Sequence, residues 1–145
     1  MPFLLFLIRI FVGGVFVFAG WEKLMTPIQN FQAVIEAYQF LKPPFILIAA
    51  NFVPWIELVF GAFLLLGFLT RTSAVTLGVL SLAFISLLSR SLLLHLPISE
   101  CGCFGSKITL APWQAIVLDI GLLILSLVLI RRRSRFFSLD EKLHR

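Results

Sequence analysis

FILIAANFVPWIELVFGAFLLLGFLTRTSAVTLGVLSLAFISLLSRSLLL, residues 45–94, holds two long apolar runs around one short polar interruption. The first runs from Phe45 to Phe68. At ~1.5 Å per residue it is long enough to cross a hydrocarbon core of ~30 Å with some tilt. Pro54 lies inside it, removes one backbone donor and predicts a kink. Gly67 and Thr70-Arg71-Thr72 leave room only for a tight turn, so the second run, 73–94, must fold back antiparallel on the first. Arg90 and His95 mark its far end. A hairpin of two membrane-length helices makes the fold all-α.

Working outward, composition supports the same solvent. The chain of 145 residues is 60% hydrophobic and 13% charged, against roughly 25% charged in an ordinary soluble domain. That much apolar surface cannot be hidden in one small soluble core, so the bilayer is the partner. The net charge of +5 is concentrated in a tail, with Arg131, Arg132, Arg133, Arg135, Lys142 and Arg145 after the last apolar run. Such a tail reads as a basic anchor on the cytoplasmic face rather than as a nucleic-acid site.

Two further runs complete the set. The first spans about residues 3–20. No basic residue precedes it and Arg9 sits inside it, which argues against a cleaved leader. The last spans 112–130, opening on Pro112. Between the first and second runs, Phe31, Val34, Ile35 and Tyr38 recur at helical spacing among Gln32, Glu36 and Gln39. Thr26-Pro27 starts this segment and Pro43-Pro44 ends it. It is expected as a short amphipathic helix at the outer interface. The expectation is a four-helix transmembrane domain over residues 1–130, with spans near 3–20, 45–68, 73–94 and 112–130, and a basic cytoplasmic tail over 131–145. Four spans put both termini on one side. The arginines after Ile130, with Arg71, mark that side as cytoplasmic. Residues 96–111 then face outward, which in a bacterial inner membrane is the periplasm.

That outer segment carries both cysteines of the chain, in Glu100-Cys101-Gly102-Cys103-Phe104-Gly105. Two thiols one residue apart meet only across a tight turn, which glycine permits. The periplasm favours disulfides, and a strained bridge of this kind is easily reduced. Several chemistries stay open for the pair: thiol–disulfide exchange with a partner, a structural bridge, or ligation of a soft metal with His95. Exchange is the reading preferred here and no metal is assigned. Arg9, Glu57 and Asp119 each lie inside an apolar run, where a charge is expected to pair or to line a pathway. Counted from the span ends, Arg9 and Glu57 match in depth and are expected to pair. Arg90 comes within reach of Asp119. Two pairs that fix helix register, a proton relay or a quinone contact are the roles considered. Trp21 and Trp113 read as interfacial anchors, and Trp55 as a packed or cavity-lining residue.

Together these features resemble the MauE branch of the DoxX-like membrane proteins. Cys-Gly-Cys-Phe-Gly at 101–105 is the most specific element. Trp113, Asp119, Arg9, Gly20-x-x-Lys23, Phe31, Tyr38, Pro54-x-x-Glu57, Gly61 and Thr70-Arg71 agree with it. The resemblance covers about residues 4–130. It implies a four-helix inner-membrane protein that supports disulfide formation in periplasmic proteins, as MauE does for the small subunit of methylamine dehydrogenase. It makes Cys101 and Cys103 the catalytic residues of a thiol:disulfide oxidoreductase, with Gly102, Phe104, Gly105 and Trp113 supporting the motif. A thioredoxin-like or disulfide-containing periplasmic partner and a membrane quinone as electron acceptor are implied with it. The alternative is a non-enzymatic membrane subunit or assembly factor of a respiratory or dehydrogenase system, in which the cysteines form a structural bridge.

Overall fold

In the computed structural model, residues 2–39, 41–95 and 111–132 are described. They form five helices: α1 (Pro2–Met25), α2 (Ile28–Ala37), α3 (Pro43–Leu66), α4 (Thr70–Leu93) and α5 (Pro112–Arg131). No strand occurs among the described residues. Helices α1, α3, α4 and α5 are long and apolar enough to cross a membrane, and α2 is the short helix between the first two. Large apolar side chains point outward all around the bundle, among them Phe11, Phe52, Trp55, Val79 and Val117. Such a surface suits lipid and not water. Trp55 lies on it, so it neither packs in the core nor lines a cavity. Trp21 and Trp113 are exposed at helix ends.

Local chemistry sets the helix limits. α1 continues five residues past the expected end at 20, because nothing before Thr26-Pro27 breaks it. The Thr26 hydroxyl then donates to the Glu22 carbonyl at 2.6 Å and closes the last turn. Pro43-Pro44 does not end α2, which stops at Ala37. It opens α3 instead, at the helix position where a missing N–H costs nothing. Gly67 stops α3 with φ of 72°. The Phe68 N–H reaches back to the Phe63 carbonyl at 2.9 Å and the Gly67 N–H to the Leu64 carbonyl at 3.2 Å, the paired closure that a left-handed glycine allows. Leu69, also at positive φ, hands the chain to α4.

The spanning helices pack chiefly as two pairs, α1 on α3 and α4 on α5. The first pair is in close backbone contact. A methyl group on Gly20 would fall 2.7 Å from the Pro54 carbonyl oxygen and 2.8 Å from the Leu58 nitrogen, and one on Gly13 2.9 Å from the Gly61 oxygen. Small residues facing each other are the usual route to tight packing in lipid. The central core joins the pairs through Val12, Phe16, Leu64, Ala74, Leu77, Leu122 and Leu129. α2 buries Phe31 and Ile35 against Ile46 and Ala50 of α3, so its apolar face packs on the bundle. A second layer of Ala19, Tyr38, Leu88 and Ala115 lies near the C-terminal end of α4 and the N-terminal end of α5.

The contact predicts a contrast. Gly20→Val should lose about 1–3 kcal/mol in detergent unfolding, the usual cost of overpacking. Gly14→Ala, whose methyl would meet nothing within 4 Å, should unfold like the parent. Equal stability of the Gly20 and Gly14 variants would refute the close α1–α3 contact.

Candidate functional site

Each spanning helix buries one stripe, and the interior charges lie on those stripes. On α1 the stripe is Arg9, Val12, Phe16, Ala19 and Lys23, at steps of three or four residues. On α3 it is Ile46, Ala50, Pro54, Glu57, Gly61 and Leu64. On α5 it includes Ala115, Asp119, Leu122, Ser126 and Leu129. This is the spacing of a helix face turned inward. An ionisable group on such a stripe has no water to solvate it and must find a partner in the protein.

Glu57 finds Lys23. The Lys23 Nζ donates to both carboxylate oxygens, at 2.8 and 2.7 Å. Side-chain exposures of 0% and 2% make this a buried pair. Two aromatic faces enclose the ammonium, Phe31 of α2 with its ring centre at 5.4 Å and Phe84 of α4 at 5.1 Å. Four elements thus meet at one cation, which sits in the last turn of α1, where the helix dipole favours positive charge. Asp119 of α5 is buried at 5% exposure. Its electrostatic partners are Lys23 and Glu57, and its Oδ2 has no hydrogen-bond partner among the described residues. The result is a buried cluster of one cation and two carboxyls.

The pairs expected from sequence were different. Arg9 and Glu57 match in depth only if the start of α1 and the end of α3 lie in one plane. The helices are staggered: Gly13 faces Gly61, which sets the start of α1 about 9 Å beyond the α3–α4 turn at ~1.5 Å per residue. Arg9 therefore stands level with that turn, about 12 Å below Glu57 along the axis by the same rise. It is buried there at 1% exposure, with its guanidinium 5.2 Å from the Phe6 ring centre. Arg90 is exposed and lies about 8 Å beyond the level of Asp119 toward the C-terminal end of α4. A first span ending near 20 leaves Lys23 outside it, whereas α1 runs on to Met25. The position of Lys23 four residues after Ala19 on the buried stripe is the signal that places it inside. A helical side chain leans toward the N-terminus, so the ammonium drops to the level where Gly20 meets Pro54 and Leu58.

Cys101, Gly102, Cys103, Phe104 and Gly105 lie outside the described residues. The helices that bracket them are described. α4 ends at Leu93, with Leu94 and His95 after it, and α5 opens at Pro112 behind Ala111, whose N–H donates to the Gln114 side chain at 3.2 Å. Both ends lie beyond the layer of Leu88 and Ala115, at the end of the bundle where the Lys23 cluster sits. Among the described residues no group of three or more His, Cys, Asp or Glu is placed to hold a metal ion.

Removing one partner of a buried ion pair strands the other, at about 3–5 kcal/mol. Lys23→Met and Glu57→Leu should each cost that much in detergent unfolding, and the double variant clearly less than their sum. Arg9→Met combined with Glu57→Leu should be additive. Coupling of Glu57 to Arg9 in place of Lys23 would contradict the assignment.

The chain matches the family model described as methylamine utilisation protein MauE over residues 1–132, a stretch that includes all four spanning helices and both cysteines. Neither the curated proteins nor the solved structures give a match. With most of its length inside that one match, the chain belongs to the MauE family.

Proposed function

We propose that this protein is an inner-membrane thiol–disulfide redox protein, acting on periplasmic partners through Cys101 and Cys103. The observation that carries the reading is one of position within a family. The motif Cys-Gly-Cys-Phe-Gly of a MauE-family chain occupies the segment between α4 and α5. The ends of that segment share one end of the bundle with the buried Lys23–Glu57–Asp119 cluster. The arginines after α5 and Arg71 at the opposite end support cytoplasmic termini and a periplasmic cysteine segment. The same features favour a membrane domain over residues 1–130 with a basic tail after it. Kinship with DoxX-like proteins rests on the span features alone.

The chemistry is exchange. A partner thiolate attacks one sulfur of the Cys101–Cys103 bridge and a mixed disulfide forms. The partner's second thiol resolves it, leaving the partner oxidised and the chain as a dithiol. Two electrons and two protons have then moved to this chain. Closing its bridge again passes them to an acceptor, for which a membrane quinone is the chemical class named. Lys107, Arg90 and the N-terminus of α5 are the positive features that would favour a thiolate. No second cysteine pair exists in the sequence, so any further dithiol must come from a partner.

Cys101→Ser and Cys103→Ser variants test the reading in native membranes. One of the two should accumulate a mixed disulfide with a periplasmic protein, reversible by dithiothreitol. The parent pair should titrate above about −300 mV, the range of exchange catalysts. A lower potential with no trapped partner in either variant would mark a structural bridge and a non-enzymatic subunit.

A further inference from the structure

Polar side chains on the outward surface of the bundle meet their hydrogen-bonding needs to different degrees. Thr76 and Ser86 of α4 have one O–H each, and donate it to the carbonyls one turn earlier, Thr72 and Leu82, at 3.0 and 2.9 Å. Such back-bonding leaves no donor unmet. Asn51 of α3 is also exposed, and its own helix cannot satisfy it in this way. One side-chain N–H donates to the Leu47 carbonyl at 2.9 Å. A carboxamide carries a second N–H and an oxygen with two lone pairs, and neither has a partner among the described residues.

The surroundings of Asn51 are those of lipid. It lies about 12 Å from the start of α3 at Pro43, at ~1.5 Å per residue. Phe45, Leu47 and Ile48 are exposed on the way to it, and Phe52, Trp55 and Val59 beyond it. In such a band no water completes the bonds of an amide. Trp55, one turn further on, is 57% exposed, and its indole N–H has no partner among the described residues. It stands about 18 Å from the start of α3, near the middle of the helix and away from the interfaces where tryptophan collects. The opposite face of α3 is already occupied, since Pro54, Glu57 and Gly61 are turned to α1.

We propose that this face of α3 docks a second copy of the chain, with the Asn51 carboxamides pairing across a two-fold axis along the membrane normal. Identical chains insert the same way up, so such an axis sets like residues opposite each other at one depth. A carboxamide is complementary to itself: each Asn51 donates its remaining N–H to the other's oxygen and accepts one in return. A helical side chain leans toward the N-terminus of its helix, which brings the Trp55 indole N–H toward the level of Asn51 as a donor to the remaining lone pair. A wholly apolar partner helix would leave these groups unmatched, whereas a second copy supplies both donors and acceptor. Hydrogen bonds of this kind hold helices together in lipid. The dimer carries two Cys101–Cys103 pairs on one side of the membrane, so a second dithiol comes with the second copy. The docking goes beyond the thiol reading and does not depend on it.

Förster transfer between full chains in liposomes, with donor and acceptor dyes on a C-terminal tag, tests the docking. On dilution with lipid the transfer should fall along a monomer–dimer curve. Asn51→Leu should weaken association about 5- to 30-fold, which is what one or two interhelical hydrogen bonds supply. Asn51→Gln keeps the carboxamide and should recover part of the loss, and Ser86→Ala on α4 should change nothing. Asn51 faces lipid, so the Asn51→Leu chain should unfold in detergent like the parent, which separates lost association from lost fold. A chain that stays monomeric at every dilution would overturn the proposal and leave the amide to a different membrane protein. So would a dimer that Asn51→Leu does not weaken, since another face would then hold the copies together. With dithiothreitol present no thiol links the chains, so failure here leaves the proposed exchange function standing.

Discussion

A charge taken into a low-dielectric interior must be matched there, and in this bundle the match is Lys23 with Glu57. The pair joins the last turn of α1 to the middle of α3 with two short hydrogen bonds. Its aromatic walls come from α2 and α4, and the carboxyl of α5 lies in its field. Every described helix therefore contributes to its surroundings. Apolar contacts in lipid specify little about which helix faces which, because lipid tails are as apolar as leucine. Burying a lysine with only one strong partner fixes register far more tightly, since a slip of one turn would strand both charges.

The glycine contact below it has a complementary role. Gly13 and Gly20 of α1 lie against Gly61, Pro54 and Leu58 of α3 at backbone distance. This close approach sets the separation at which the Lys23 side chain reaches Glu57. The charged cluster lies where this pair meets α2, α4 and α5.

Much of this was legible in the chain. Four apolar runs, the Gly67–Thr72 turn and the amphipathic segment with Phe31 and Ile35 gave an all-helical membrane bundle without any coordinates. The charge pairing was not legible from run lengths. Counting residues from span ends assumes that the start of α1 and the end of α3 lie in one plane, and α1 instead begins about 9 Å beyond that end. That stagger arises from glycine-to-glycine contact between helices, a tertiary property with no local signal. The role of Lys23 was visible in principle, since it extends the Arg9–Val12–Phe16–Ala19 periodicity. Gly20 and the polar residues after it hid it by suggesting that the span had ended. Prolines misled in a similar way: Pro43-Pro44 reads equally as a stop for α2 and as a start for α3, and only packing decides.

The most direct test of the Lys23–Glu57 contact is a distance measurement in the membrane. Rotational-echo NMR between nitrogen-labelled lysine side chains and carbon-labelled glutamate carboxyls reports this contact in liposomes. Strong dephasing of the Glu57 carboxyl is expected from N–O distances of 2.7 and 2.8 Å, and Lys23→Arg should abolish it under lysine-only labelling. A Glu57 carboxyl that no lysine dephases, or that is dephased by a labelled Arg9, would contradict the arrangement of the helices described here.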